Sequence, residues 1–145
     1  MTELSDKVKA AVLCGNVGAA KKSIKELVDS GFEVDEVLPF NPRGFENNWS
    51  LVFWASLSNS EEVLRQVVGD YKAKVNVTDS CGYTPLHIAA FHSKFNSVKF
   101  LVEHGADINA KSNYGEGLEE LVLRKPVDND RDLELREYVQ DLIRS

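Results

Sequence analysis

The stretch GYTPLHIAA at residues 82–90 decides the fold of this chain. Thr84 can cap the start of a helix with its hydroxyl group, and Pro85 suits the first helical position, where a missing N–H costs nothing. Ala89 and Ala90 follow at helical spacing and leave room for another element to approach closely. The stretch therefore predicts a short helix that packs tightly against a neighbour.

A second helix is predicted directly afterwards, beginning at about Asn96 and stopped by Gly105. Val98, Leu101 and Val102 form its apolar stripe, and Gly105 suits the left-handed residue that ends a helix. Two short helices joined by a reversal have one apolar side and nothing of their own to bury it against. Such a unit needs a neighbour of the same kind, so the pattern predicts a repeat.

Residues 79–111 resemble the ankyrin repeat, a unit of about 33 residues, in order and without a gap. The matching residues are Asp79, Gly82, Thr84, Pro85, Leu86, His87, Ala89, Ala90, Val98, Leu101, Gly105, Ala106, Asp107 and Asn109. Three weaker units extend the resemblance over nearly the whole chain. The resemblance implies one all-α domain, an ankyrin-repeat solenoid of helix-turn-helix units with short β-hairpin turns. Its repeats are expected at about 4–35, 45–78, 79–111 and 112–145.

The second unit departs from the pattern in several places. Ser50 stands where threonine is expected, with no proline after it, and Phe53 replaces the histidine. Ser58 and Glu61 are predicted to form a capping box for the second helix of this unit. The return after that helix, residues 69–76, is about one residue longer than the pattern.

The end of the chain is predicted to form a terminal helix with one buried face. The apolar residues on that face are Leu135, Tyr138, Val139, Leu142 and Ile143. Their spacing is typical of an amphipathic helix, and the opposite side is polar. A polar outer face is what the last repeat of a stack requires.

An extended finger loop at residues 36–48 is predicted between the first two units, about seven residues longer than an ordinary connection. Two interpretations stay open. The loop can present Phe40, Arg43, Phe45 and Trp49 to a partner, because surface loops often carry function. Alternatively, its apolar side chains fold back and seal the gap between two repeats.

The resemblance also implies a binding surface, the concave face built from hairpin tips and the exposed ends of the first helices. The predicted partner-binding residues are Phe40, Arg43, Phe45, Asn47, Trp49, Ser80, Cys81, Tyr83, Phe91, His92, Lys111, Asn113, Tyr114 and Glu116. The same family positions also fall on Leu13, Cys14, Glu46, Leu57 and Ser58. Trp49, Tyr83, Phe91 and Tyr114 form an aromatic series, and aromatic residues dominate interface hot spots. Alternatively, Trp49 and Phe91 cover the junctions between repeats.

Composition limits the classes of function. The chain has 145 residues, 17 of them basic and 23 acidic, and its formal net charge of −6 favours neither nucleic acid nor anionic lipid. That charge would suit a basic partner surface. No apolar stretch is long enough for a membrane span, and the two cysteines have no metal-type spacing. We expect no cofactor or metal, a monomer when free, and a location in the cytoplasm, with the nucleus as a second site.

The histidines, cysteines and carboxylates form no catalytic pattern. His87 holds the place of the ankyrin histidine, and the resemblance implies that it bonds to hairpin backbone. Cys81 lies near it in sequence, but a cysteine-dependent hydrolase also needs a third orienting group and an oxyanion site. We predict a non-catalytic protein-binding module, a small adaptor or inhibitor that binds a partner protein. A structural subunit of a larger complex and a cysteine-dependent hydrolase are the alternatives.

Overall fold

The chain folds into pairs of helices stacked side by side. The computed structural model describes residues 2–36, 49–124 and 130–144. The helices of these residues are α1 (Thr2–Cys14), α2 (Val17–Asp29), α3 (Leu51–Leu57), α4 (Glu61–Leu64), α5 (Pro85–Phe91), α6 (Phe95–Glu103), α7 (Leu118–Arg124) and α8 (Asp130–Arg144). Helix α4 continues as a π-helix over Arg65–Asp70.

Each helix packs against its partner in the pair and against the next pair. The first helices α1, α3, α5 and α7 contact one another in a row, and so do the second helices α2, α4 and α6. The described part of the chain contains no β-strand, and the prediction of an all-α solenoid is confirmed. Because a single pair cannot cover its own apolar side, the core runs continuously from one layer of the stack to the next.

The largest fully buried side chains come from all four helix pairs. They are Phe53, Ile24, Leu27, Leu51, Leu64, Leu86, Leu101, Leu118, Leu135, His87, Val8 and Val52. Their distribution shows that every pair contributes to a single hydrophobic cluster rather than to separate small cores.

Helix α8 buries a narrower face than the sequence predicts. Leu135 and Val139 are buried, and the ring of Tyr138 lies 5.4 Å from the ring of Phe95 in α6. Ile143 is 38% exposed, so its predicted place on the buried face is wrong. At about 100° per residue, Ile143 lies about 80° around the helix from Leu135, which carries it past the edge of the contact.

The starts of α5 and α7 share one half of a capping box, in which a side chain of the first turn accepts the backbone N–H three residues earlier. The hydroxyl of Thr84 accepts the backbone N–H of His87 at 3.3 Å, and Nδ1 of His87 accepts the backbone N–H of Thr84 at 3.1 Å. Pro85 occupies the first helical turn as predicted. In α7, Oε2 of Glu120 accepts the backbone N–H of Gly117 at 3.0 Å. Bonds from its own backbone N–H and from that of Gly117 lower the pKa of the Glu120 carboxyl.

The start of α4 differs from the predicted capping box. Ser60, not Ser58, caps the helix, and its hydroxyl accepts the backbone N–H of Val63 at 3.4 Å. Asn59 has a left-handed backbone conformation with a φ of 53°. As in the reversals of the first and third helix pairs, the N-cap directly follows the residue with positive φ, so the helix begins at Glu61 and the Ser58 hydroxyl bonds back to α3 instead.

The extra residue predicted in the second unit lies in the π-helix. Equivalent hydrogen bonds close the second helix of three units, from Phe32 N–H to Leu27 O, from Ala73 N–H to Val67 O and from Ala106 N–H to Leu101 O. The first and third of these bonds span five residues, whereas the second spans six. Lys72, with a φ of 60°, takes the left-handed position that Gly31 and Gly105 hold in the other units. The wider π-turn therefore absorbs one inserted residue, and the helix still ends in the same geometry.

Candidate protein-binding face

Two hairpin turns, one beginning at Asp79 and the other at Ser112, have the same hydrogen-bond pattern. The Asp79 carboxylate accepts the backbone N–H groups two and four residues further on, at 2.9 and 3.0 Å. The Ser112 hydroxyl accepts the two corresponding groups at 3.2 and 3.3 Å. Gly82 and Gly115 hold the left-handed position in each turn. Side chains that bond to their own backbone in this way fix the shape of both tips.

The two hairpin tips also contact each other. Asn113 donates its backbone N–H to the carbonyl of Cys81 at 2.9 Å and its side-chain amide to the carbonyl of Ser80 at 3.3 Å. A Cβ atom placed on Gly82 would lie 2.5 Å from Oδ1 of Asn113, so no larger residue fits there. Ser80, Asn113 and Lys111 are exposed and Cys81 is half-buried. The tips therefore form a continuous ledge whose outer side chains face solvent.

Tyr114 and Phe91 are the most exposed members of the predicted aromatic series. Tyr114 is 68% exposed and Phe91 is 42% exposed. The Tyr114 hydroxyl donates to Sγ of Cys81 at 3.7 Å, and this bond raises the pKa of Tyr114. The ring of Phe91 packs edge-on against the exposed His92. Partner contact through Tyr114, Phe91 and His92 stays a prediction.

The side chain of Glu116 lies inside a junction. Its Oε1 accepts the hydroxyl of the half-buried Tyr83 at 2.6 Å, its Oε2 pairs with Arg124, and its side chain is 13% exposed. The hydrogen bond to Glu116 is the main cause that raises the pKa of Tyr83. The Glu116 carboxylate thus joins the third and fourth helix pairs, and its contact with a partner stays a prediction.

The side chain of Trp49 also lies inside the stack. It is 9% exposed, and its indole N–H donates to Oδ2 of Asp79 at 3.1 Å. Its ring stacks on Phe53 at a centroid distance of 5.8 Å and meets Trp54 edge-on at 5.2 Å. Trp49 thus packs into a junction between repeats, as the alternative expects, and its contact with a partner stays a prediction.

Phe40, Arg43, Phe45 and Asn47 lie outside the described residues. Both interpretations of the finger loop at 36–48, partner contact and sealing of the gap, stay predictions.

The first helices present a line of apolar side chains, which we name the apolar row. Its members are Leu13, Leu57 and Phe91, each two residues before a turn residue with positive φ. The turn residues are Gly15, Asn59 and Ser93. Leu13 is 72% exposed and Leu57 is half-buried. Because α1, α3 and α5 are neighbours in the stack, equal positions on these helices place the three side chains side by side.

A family model described as ankyrin repeats in three copies matches residues 10–112. The chain belongs to the ankyrin-repeat family. Ankyrin repeats form protein–protein interaction modules and are generally non-catalytic. The resemblance inferred from residues 79–111 is thus confirmed.

Several known proteins share short matches with the chain. It is 39% identical over 59 residues to palmitoyltransferase akr1 of Schizosaccharomyces pombe, a match that covers 41% of this chain and 9% of that protein. It is 35% identical over 60 residues to ankyrin repeat domain-containing protein 49 of Bos taurus, covering 41% and 25%. It is 34% identical over 65 residues to serine/threonine-protein kinase VIK of Arabidopsis thaliana, covering 45% and 15%. The chain thus spans a quarter or less of the length of these three relatives.

The ankyrin histidine, His87, has a structural role. It is 1% exposed, its Nδ1 accepts the Thr84 N–H, and its Nε2 lies 2.9 Å from the carbonyl oxygen of Ala110 in the next hairpin. These partners fit a neutral ring with its proton on Nε2. Burial lowers the pKa of His87. Both ring nitrogens are engaged, so the ring does not offer Cys81 the free base that a thiol nucleophile requires.

Trp54 and Lys9 are a buried pair that no sequence pattern marked. Trp54 is 5% exposed, and its indole N–H has no hydrogen-bond acceptor in the described part of the chain. Nζ of Lys9 lies 5.6 Å from the centre of the Trp54 ring, and Lys9 is 6% exposed. A lysine in a helix is ordinarily solvent-facing, so its burial becomes visible only when the neighbouring helix is in place.

Neither a metal site nor a membrane span is found in residues 2–36, 49–124 and 130–144. No three histidine, cysteine, aspartate or glutamate side chains in these ranges gather in an arrangement that could hold a metal ion. None of the helices in these ranges is both long enough and apolar enough to cross a membrane.

Proposed function

We propose that this ankyrin-repeat protein binds another protein through its concave face, as a small adaptor or as an inhibitor that occupies the partner's surface. The observation that carries the proposal is the exposure of Tyr114 and Phe91, at 68% and 42%, on elements held in place by hydrogen bonds. Large exposed aromatic side chains on a rigid support are typical of interface hot spots.

Rigidity is the physical basis of the proposed binding. The hairpin tips are fixed by Asp79 and Ser112, and the Asn113 bonds join one tip to the other. A surface that is already ordered loses little conformational entropy when a partner arrives, so more of the contact energy appears as affinity. The concave face can therefore bind by shape complementarity without a change of its own fold.

The distribution of charge indicates what a partner must offer. The first helices α3 and α5 contain no charged residue, whereas the second helices α2 and α4 carry charged side chains. The centre of the concave face therefore suits an apolar partner surface. The net charge of −6 favours a basic rim on that partner, an attraction that salt weakens.

The proposal is tested by affinity capture from an extract of the cells that express the protein. The face variant carries Phe91→Ala and Tyr114→Ala, and the matched control carries Leu133→Ala and Ile143→Ala, which remove exposed apolar side chains from α8. We expect the wild type and the control to capture the same protein and the face variant to lose it, with all three melting within a few degrees of one another. Retention of that protein by the face variant would contradict the proposal.

Two further measurements test whether the protein is a permanent subunit of a complex and where it lies in the cell. Size-exclusion of the endogenous protein separates a permanent subunit of a larger complex from an adaptor or inhibitor that is also present alone. Fluorescence microscopy of the tagged chain checks the proposed location in the cytoplasm or the nucleus.

A further inference from the structure

We propose that the apolar row binds an amphipathic α-helix of the partner whose apolar side chains lie one heptad apart and whose end carries an acidic residue. The proposal rests on the proposed function, because it names the kind of segment that the concave face receives. It is carried by the position of Leu13, Leu57 and Phe91, by the charge next to them, and by the spacing of the helices that present them.

The spacing of the row, about 8–10 Å, lies within about 0.5–2.5 Å of the spacing of residues one heptad apart on an α-helix. Packed helices lie about 8–10 Å apart, so the side chains at the ends of α1, α3 and α5 repeat at about that distance. Residues seven apart on an α-helix lie on the same face and are separated by about 10.5 Å. Side chains on the same face of a β-strand are separated by about 6.8 or 13.6 Å, and neither distance matches the row.

The chemistry of the row is apolar over three repeats. Leu13 is 72% exposed and Phe91 is 42% exposed, with Leu57 between them, and α3 and α5 carry no charge. A partner can therefore bury its apolar side chains here without desolvating a charged group of α3 or α5. Burial of an exposed leucine or phenylalanine side chain is the kind of contact that stabilises helix binding in a groove.

A positive charge occupies the fourth position of the same row. Glu120 in α7 has the capping place that His87 has in α5, so Arg124 is equivalent to Phe91. The Arg124 side chain is 61% exposed and pairs with Glu116. A guanidinium group has five N–H donors, so the bond to Glu116 leaves donors for a second carboxylate. Four positions at this spacing span about 24–30 Å, the length of a helix of about 16–20 residues that ends on an acidic side chain.

A polyproline II segment is the competing occupant, because its residues three apart lie about 9.3 Å from one another on one side. Polyproline segments bind grooves lined with aromatic side chains. Two of the three members of the row are leucines, so the composition favours the helix. The polyproline segment is therefore an outcome of the test and not a second proposal.

Three labelled synthetic peptides test the occupant by fluorescence anisotropy with the intact protein. The heptad peptide has about 24 residues on an alanine, glutamine and lysine background, with three leucines seven positions apart and a glutamate seven positions after the last leucine. The scrambled peptide has the same composition, with the leucines on different sides of the helix. The third peptide is proline-rich, with leucine at every third position.

We expect the heptad peptide to bind at least about ten-fold more tightly than either other peptide. Leu13→Asp should weaken its binding at least about ten-fold, whereas Leu133→Asp, which changes an exposed leucine of α8, should leave it unchanged. Arg124→Gln should weaken the heptad peptide but not a version of it that ends in glutamine. The melting temperature of each variant shows whether it remains folded.

Equal binding of the heptad and scrambled peptides, or equal effects of Leu13→Asp and Leu133→Asp, would overturn the proposal. Tightest binding of the proline-rich peptide would replace the helix by a polyproline segment. If the heptad peptide does not bind but the face variant still loses its captured protein, the helix is wrong and the proposed function stands. If the face variant also keeps that protein, both fail.

Discussion

At the scale of single residues, His87 links the stability of the third repeat to pH. Its ring is buried and neutral, and burial lowers its pKa in the folded chain. The unfolded chain has the ordinary histidine pKa of about 6.5. Below that pH the unfolded state binds a proton that the folded state does not, so stability is full above about pH 6.5 and falls as the pH drops towards the folded pKa.

Denaturation at a series of pH values checks this prediction. The free energy of unfolding should fall between pH 7 and pH 5, with His87 contributing at most about 1.4 kcal/mol per pH unit. His87→Phe, which copies Phe53 of the second repeat, should be about 1–3 kcal/mol less stable at pH 7, because Thr84 N–H and Ala110 O lose their partner. The same variant should show a flatter pH profile. An unchanged slope in His87→Phe would mean that other groups cause the pH dependence.

The two buried tryptophans give a matched pair for measuring one hydrogen bond. Trp49 donates its indole N–H to Asp79, whereas the indole N–H of Trp54 has no acceptor in the described residues. Trp49→Phe and Trp54→Phe remove the same atoms from neighbouring buried rings. We expect Trp49→Phe to cost about 1–2 kcal/mol more in urea denaturation, because it leaves the buried Asp79 carboxylate short of a donor. A cost of Trp49→Phe no larger than that of Trp54→Phe would contradict this expectation.

Residues differ in how well they can be predicted because their partners lie at different sequence distances. Thr84 and Pro85 act on a helix start within three residues, so their roles follow from local chemistry. Trp49 finds its acceptor thirty positions away in Asp79, and Glu116 finds Tyr83 thirty-three positions away. The aromatic and acidic character of Trp49 and Glu116 therefore suggested a surface role, and the structure adds that both side chains pack between repeats.

At the scale of elements, helix α6 is capped by the repeat before it. Lys94 occupies its N-cap position and makes no side-chain cap bond. Instead, Oδ1 of Asn59 accepts the backbone N–H of Asn96 at 3.0 Å, and the Asn96 amide donates back to the Asn59 carbonyl at 3.4 Å. One asparagine therefore satisfies a helix start in another repeat, a role that Asn16 and Ser60 perform within their own repeats.

Two substitutions at Asn59 separate the cap from the backbone conformation. Asn59 has a φ of 53°, which glycine adopts readily and alanine does not. Asn59→Gly should cost about 0.5–2 kcal/mol through loss of the cap, and Asn59→Ala about 1 kcal/mol more through backbone strain. Urea denaturation gives the totals, and hydrogen exchange should show the loss at the first turn of α6. If Asn59→Gly is as stable as the wild type, the bond to Asn96 does not cap the helix.

The sequence predicts the positions of the helices better than the caps and turns that connect them. The helix pair at 82–105 follows from apolar spacing and end signals, and the structure confirms it. The α4 cap lies at Ser60 and not at the predicted Ser58, because the N-cap follows the left-handed Asn59, and asparagine also adopts ordinary conformations that give no local signal. A length mismatch indicated the inserted residue, but only backbone hydrogen bonds place it in Arg65–Asp70.

At the scale of the whole molecule, stability passes from each repeat to its neighbour. The third and fourth helix pairs are joined by the Tyr83–Glu116 hydrogen bond and by the close approach of Gly82 to Asn113. In a stacked array, loss of the contacts at one junction destabilises the units between that junction and the nearer end of the stack. The units on the other side of the junction are affected less. The fourth helix pair therefore depends on groups that are distant from its own core.

Hydrogen exchange checks this dependence. Tyr83→Phe keeps the ring and removes the hydroxyl that bonds to Glu116, so amides in α7 and α8 should exchange several-fold faster while those in α1 and α2 stay unchanged. Tyr114→Phe is the control, because the hydroxyl of this exposed residue bonds only to Cys81 among the described contacts. Uniform acceleration along the whole chain would show that the molecule opens as one unit instead.

The family and the stacked architecture could be predicted because one complete repeat, residues 79–111, determines what its neighbours must look like. The residues of the proposed binding face were predicted from their positions in the repeat pattern. Those positions do not tell whether a side chain points to solvent or into a junction between repeats. Phe91 and Tyr114 stay exposed, whereas Trp49 and Glu116 turn into the stack. The difference depends on the partner that each side chain meets in the next repeat, which a pattern confined to one repeat does not contain.

The π-helical turn at Arg65–Asp70 has a consequence for how such a chain can change in length. It takes up an inserted residue on the convex side, and the helices that carry the apolar row keep their register. A residue inserted into α3 or α5 would instead rotate everything after it by about 100° and scatter the side chains that face inwards. Natural or engineered insertions in the second helices can therefore leave in place the side chains of the first helices that are proposed to contact a partner.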